Sequence, residues 1–176
     1  MNQRSFFDYD AQDYLDELKK EWRNTIGGAG GLCKCCGKFG KIHEMKLSQH
    51  LALCLRWMKM HAEEDGWVNV QSTAPRWMLR GKTYPCLAYW FLVESKGHRS
   101  GIWRVSDKGH RFLNEEITQP EFAFVYNNQV LEYSTEEVTF QGCFGNHFDF
   151  QEMMDSRFDW NKVVGKTKKN AQGELQ

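Results

Sequence analysis

Gly101-Ile102-Trp103-Arg104-Val105-Ser106-Asp107-Lys108-Gly109-His110-Arg111-Phe112-Leu113 decides how the middle of this chain is read. Gly101 to Val105 has the β-branched and aromatic composition of a short strand, and the run from Ser106 to Leu113 follows it as a helix. Upstream, Lys46 to Glu64 predicts a helix whose Leu47, Leu51, Leu55 and Met58 form one apolar stripe, ended by Asp65-Gly66. Trp67-Val68-Asn69-Val70 reads as a short extended stretch. Ser72, Thr73 and Ala74-Pro75 open a second short helix carrying Trp77, Met78 and Leu79 and stopped at Gly81. A third helix is expected to carry Leu87, Ala88 and Trp90 to Val93, with Thr83 as N-cap and Pro85 in its first turn. Downstream, Phe122 to Tyr133 reads as a hairpin about Asn127-Asn128, a pair that tolerates left-handed backbone angles. An aromatic stretch from Phe140 to Phe150 follows, with a last short helix expected from Phe148 and a disordered, lysine-rich tail from Asn161.

The N-terminal part has a different character. From Asp10 to Trp22 the residues Tyr14, Leu15, Leu18 and Trp22 recur at helical spacing, predicting an amphipathic helix and a candidate dimerisation element. Gly27-Gly28-Ala29-Gly30-Gly31 then reads as a flexible hinge. Next comes Cys33-Lys34-Cys35-Cys36-Gly37, a Cys-x-x-Cys-Gly turn of the kind that presents two thiolates to one metal ion. His50 and Cys54 stand one helical turn apart, so Cys33, Cys36, His50 and Cys54 approach the spacing of a zinc finger with a structural Zn2+. Cys35 and His43 are alternative ligands. The other cysteines, Cys86 and Cys143, are scattered, a poor disulfide framework and a sign of a reducing compartment.

The run from the Gly101–Val105 strand into Ser106-Asp107-Lys108-Gly109 resembles the strand and helix that close many winged helix-turn-helix domains. More narrowly, the order of the Cys-x-x-Cys turn, a Lys46-Leu47-Ser48 helix, an aromatic helix ending near Glu94, Ser100-Gly101-Ile102-Trp103-Arg104 and the Phe124–Val130 hairpin is similar to that of small, mostly uncharacterised phage and prophage proteins. The resemblance implies a phage origin and a winged-helix-like domain over about residues 46–118. Such domains commonly bind DNA with a recognition helix in the major groove and a basic wing on phosphate. Lys82, Thr83 and Tyr84 at the start of the third helix and Lys96, His98 and Arg99 at the wing would take those roles, with Arg76, Arg80 and Arg104 adding charge. The third helix is apolar on nearly every face, which suits burial or a protein partner better than base readout.

The fold class expected is α+β: a zinc knuckle, a winged-helix-like domain and a small C-terminal hairpin and helix unit. The segments are 1–31, 32–118, 119–160 and 161–176, and their net charges are −2, +6, −7 and +3. A chain whose 23 basic and 23 acidic residues cancel is no polybasic condensing protein, but the asymmetry implies two surfaces with different partners. No apolar run approaches bilayer length and no leader opens the chain, so a soluble protein of the host bacterial cytoplasm without a membrane partner is expected. Phosphate-cradling loops, Gly-x-Ser-x-Gly and His-Glu-x-x-His are missing, and an enzyme is not expected. Two functions follow: a zinc-stabilised regulator that binds nucleic acid, or an inhibitor or adaptor of a host protein, for example an anti-CRISPR-type inhibitor of a defence complex.

Overall fold

A computed structural model describes residues 11–147, with side chains from 13 to 145. The last helix expected from Phe148 and the tail from Asn161 lie outside the described residues. The fold is mixed helix and sheet, an α+β arrangement. In chain order, helix α1 (Ala11–Ile26) precedes strands β1 (Gly31–Leu32), β2 (Phe39–Gly40) and β3 (His43–Lys46). Helix α2 (Gln49–Met60), strand β4 (Trp67–Asn69), short helices α3 (Val70–Thr73) and α4 (Arg76–Gly81) and a 3-10 segment (Tyr84–Trp90) follow. Strands β5 (Val93–Ser95) and β6 (Ile102–Val105) lead into helix α5 (Asp107–Leu113). The described chain ends with β7 (Gln119–Pro120), β8 (Phe122–Tyr126), β9 (Gln129–Tyr133), β10 (Glu137–Val138) and a second 3-10 segment (Gln141–His147). Among the described residues, no helix is long and apolar enough to cross a membrane.

The chain divides into two compact units, one of residues up to Met45 with Phe124–Glu132, the other of Lys46–Ala123 with the residues from Tyr133 on. In the first, α1 extends to Ile26, a turn beyond the expected end at Trp22. Its Trp22 and Ile26 lie on Gly40, where an added Cβ would come within 2.5 Å of Trp22 Cζ2 and 3.0 Å of Ile26 Cγ2. A Cβ on Gly31 would likewise overlap the Thr25 methyl. Gly31 and Gly40 thus let a helix and a ribbon touch backbone to side chain, and the Ile42 amide donates to the Ile26 carbonyl at 2.9 Å. Trp22 meets Tyr126 edge to face at 6.4 Å. The hairpin β8–β9 turns at Asn127 and Asn128, both left-handed (φ 49° and 61°), as the sequence predicts. Strand β8 lies between β3 and β9.

The second unit is built around α2, which buries Leu51, Ala52, Leu53, Cys54, Leu55, Trp57 and Met58. The expected stripe is present but too narrow, because α2 packs on β6, α5 and both 3-10 segments and so is covered on several sides. Each such Leu, Met or Trp stabilises the fold by roughly 1.5–3 kcal/mol through burial. Phe112, Phe140 and Phe144 extend this core as an edge-to-face chain, with centroids 5.8 and 5.3 Å apart.

The third helix differs from expectation. Tyr84–Trp90 is a 3-10 segment, Phe91 is left-handed (φ 60°), and Val93 already belongs to β5. Leu87, Trp90, Leu92 and Val93 are buried, which accounts for the apolar composition without any groove-reading role. Sheet order is β4-β6-β5, all antiparallel, with Trp67 opposite Arg104 and Glu94 opposite Arg104 on its other side.

Helix α5 begins against the Phe91–Leu92 backbone. Ser106 caps it by accepting from the Gly109 amide at 3.0 Å, while its hydroxyl donates to the Phe91 carbonyl at 2.6 Å and its amide to the Leu92 carbonyl at 3.0 Å. A Cβ on Gly109 would overlap the Leu92 carbonyl and approach Val105 Cγ1 to 2.7 Å. Gly109→Ala should therefore cost about 1–3 kcal/mol in urea unfolding and Ser106→Ala about 1–2 kcal/mol. Gly97→Ala, with nothing within 4 Å of the new methyl, should be near neutral; equal stability of all three variants would contradict the close packing.

Candidate functional site

The β5–β6 hairpin gathers most of the candidate cations. Its turn is stitched by its own serines: the Ser95 hydroxyl donates to the Gly97 carbonyl at 2.8 Å, and Ser100 Oγ accepts from the Ile102 amide at 3.2 Å. The Lys96 amide donates to the Ile102 carbonyl at 3.0 Å, closing the ladder. Arg99 and Gly101 are left-handed (φ 56° and 70°), and Gly101 seats against Gln71 while its carbonyl accepts from the Val70 amide. Lys96, His98 and Arg99 are thereby held outward in solvent.

The nine candidate residues do not play equal parts. Arg76 and Arg80 stand one turn apart on the exposed side of α4, opposite the buried Trp77 and Met78, and Lys82 caps that helix in a left-handed conformation (φ 48°). Thr83 and Tyr84, expected at a recognition-helix start, are instead packed: the Thr83 hydroxyl is buried without a hydrogen-bond partner, and the Tyr84 ring meets Trp103 edge to face at 5.8 Å. Burial also pushes the Tyr84 hydroxyl pKa up. Arg104 is committed elsewhere. Its guanidinium lies 4.8 Å from the Trp67 ring centroid and 2.6 Å from Glu94 Oε2. Lys96 Nζ approaches the same ring at 5.6 Å. Trp67, unmarked in the sequence reading, is thus a platform for two cations. It escapes notice because its partners are distant in sequence; only the β4–β6 register brings them together.

Beside Arg104 a polar groove of about 330 Å³ is edged by Asp65, Glu94 and Asp107, so phosphate would meet carboxylates there. Phe91, also unforeseen, exposes 66 % of its surface from a left-handed backbone, with Lys108 Nζ 5.8 Å from its ring centroid. A large side chain in that conformation is strained, and its exposure is unexplained by packing.

The cysteine turn belongs to the first unit and the other two candidate metal ligands to the second. In the turn, the Cys33 amide donates to the Lys38 carbonyl and the Gly37 amide to the Cys33 carbonyl, both at 2.8 Å. The Cys36 and Cys35 amides donate to the Cys33 sulfur and hold its thiol pKa down. Cys54 is wholly buried in α2, and burial pushes its thiol far up. His50 packs edge-on against Trp77 at 5.4 Å, and burial holds its imidazole pKa down. Cys54 belongs to the core of the second unit, and His50 is half-buried. His43 is exposed on β3. Among the described residues no three His, Cys, Asp or Glu side chains converge to hold a metal ion.

No family model, curated protein or solved structure matches the chain.

Thiol chemistry distinguishes these cysteines. Limiting iodoacetamide at neutral pH should label the Cys33–Cys36 turn first, as peptide mapping would read. Cys54 and Cys143, the latter pushed up to about 12 by burial, should stay unlabelled until denaturant is added. Labelling of native Cys54 at the rate of the turn would contradict its buried position.

Proposed function

We propose that this chain is a phage-encoded, non-catalytic regulator that binds nucleic acid through its second unit, a winged-helix-like module. The element order supports the reading: a first helix (α2), a first strand (β4), short helices (α3 and α4), then a hairpin whose second strand pairs with β4. The carrying observation is the hairpin turn, which presents Lys96, His98 and Arg99 to solvent from a backbone fixed by Ser95 and Ser100. A pre-ordered turn loses little conformational entropy when its cations displace counterions from phosphate. Arg76 and Arg80 on α4 supply further phosphate contacts in place of the packed Thr83 and Tyr84, so binding on this reading is dominated by backbone charge rather than base edges.

Electrophoretic mobility of duplex DNA across salt concentrations tests this. Lys96→Gln and Arg99→Asn, the latter chosen because Asn tolerates the left-handed backbone, should each weaken binding to all sequences and lower the salt slope by about 1. No binding at low salt would overturn the reading.

Phe91 favours a second function, that of an inhibitor or adaptor docking on a host protein through an exposed aromatic. Phe91→Asn should relieve backbone strain, leaving stability equal or higher, yet abolish retention of a partner from nuclease-treated host lysate. Partner retention unchanged in the variant would remove Phe91 from that role.

A further inference from the structure

We propose that Cys33 and Cys36 form half of a tetrahedral thiolate zinc site that is completed by the same pair of a second copy of this chain. The turn has the features of a metal knuckle: the x-x spacing, a left-handed Gly37 (φ 69°) with open space around it, and two backbone amides already aimed at the Cys33 sulfur. It lies on the surface, with Cys36 exposed and Cys33 partly so. A structural zinc takes four protein ligands, and among the described residues no group of three or more His, Cys, Asp or Glu is placed to hold a metal ion within one chain. Two such pairs related by a two-fold axis supply four thiolates, a self-complementary arrangement in which each copy contributes the same residues.

Charge and surface chemistry agree with that partner. Four thiolates around Zn2+ leave a net charge of −2 once their protons have gone to solvent, and each copy places Lys38 and Lys41 in or beside the turn to offset it. The ribbon carrying the turn exposes Leu32 (66 %) and Phe39 (65 %), which face one another across β1–β2. This opposed pair is apolar surface beside the thiols, which a second knuckle held at the metal would cover. The inference rests on the cysteine turn alone and stands or falls independently of nucleic-acid binding.

The test uses the full, tag-free chain, reduced and stripped of metal, titrated with Zn2+ while its mass is followed by light scattering. Mass should double with saturation at one zinc per two chains, and chelator should restore the monomer. Co2+ in place of zinc should give the absorption of tetrahedral four-thiolate coordination. Cys36→Ser should abolish both the metal and the doubling while leaving the circular dichroism unchanged, and Cys35→Ser should leave both intact. One zinc per chain on a monomer, no zinc bound, or a dimer indifferent to chelator would each overturn the proposal.

Discussion

The close approach of helix α5 to the Phe91–Leu92 backbone is the constraint on which the second unit depends. The Ser106 hydroxyl and amide donate to the Phe91 and Leu92 carbonyls there, the Gly109 amide donates to the Ser106 hydroxyl, and only the bare Cα of Gly109 lets the helix come near enough for those bonds to form. The junction sets where β6 ends and where β5 begins, so it fixes the β5–β6 register and with it the length of the turn between them. It also uses both lone carbonyls of the segment in which Phe91 turns left-handed, which is how the surrounding structure holds a conformation that an isolated phenylalanine disfavours.

Electrostatics separates the cations that are paired from those that are not. Lys46 pairs with Glu121 at 2.8 Å, Arg104 with Glu94, Arg111 with Glu116 at 3.7 Å, and Lys34 with Glu21. These are exposed or partly exposed pairs and contribute little stability each. Arg76, Arg80, Lys82 and Arg99 take part in none of these pairs. The acidic segment of residues 119–160 spends one carboxylate on Lys46 and another, Glu137, on the Thr118 hydroxyl.

How much of this was legible in the sequence depended on whether a pattern had one physical cause or two. The stripe of α2 and the Asn127-Asn128 turn were legible because apolar periodicity and left-handed tolerance each point one way. Glycine does not: Gly31 looks the same whether it frees the chain or makes room for Thr25, and only the packed structure tells which. Cys54, one turn from His50, matched a ligand pair, yet a small apolar side chain in a helix core gives the same spacing. The run from Tyr84 to Val93 is as apolar as a buried helix, and no local pattern marks the left-handed residue at Phe91 that ends it. Long-range pairs such as Trp67 with Arg104 were invisible for want of a register.

Native-state amide hydrogen exchange of the full chain tests the central role of the α5 junction most directly. The Ser106 and Gly109 amides, bonded to the Leu92 carbonyl and to the Ser106 hydroxyl, should exchange only with global unfolding of the second unit, as slowly as the core amides of α2. Exchange of both amides as fast as that of the exposed hairpin turn would contradict it, because the junction would then open without disturbing the elements it is held to position.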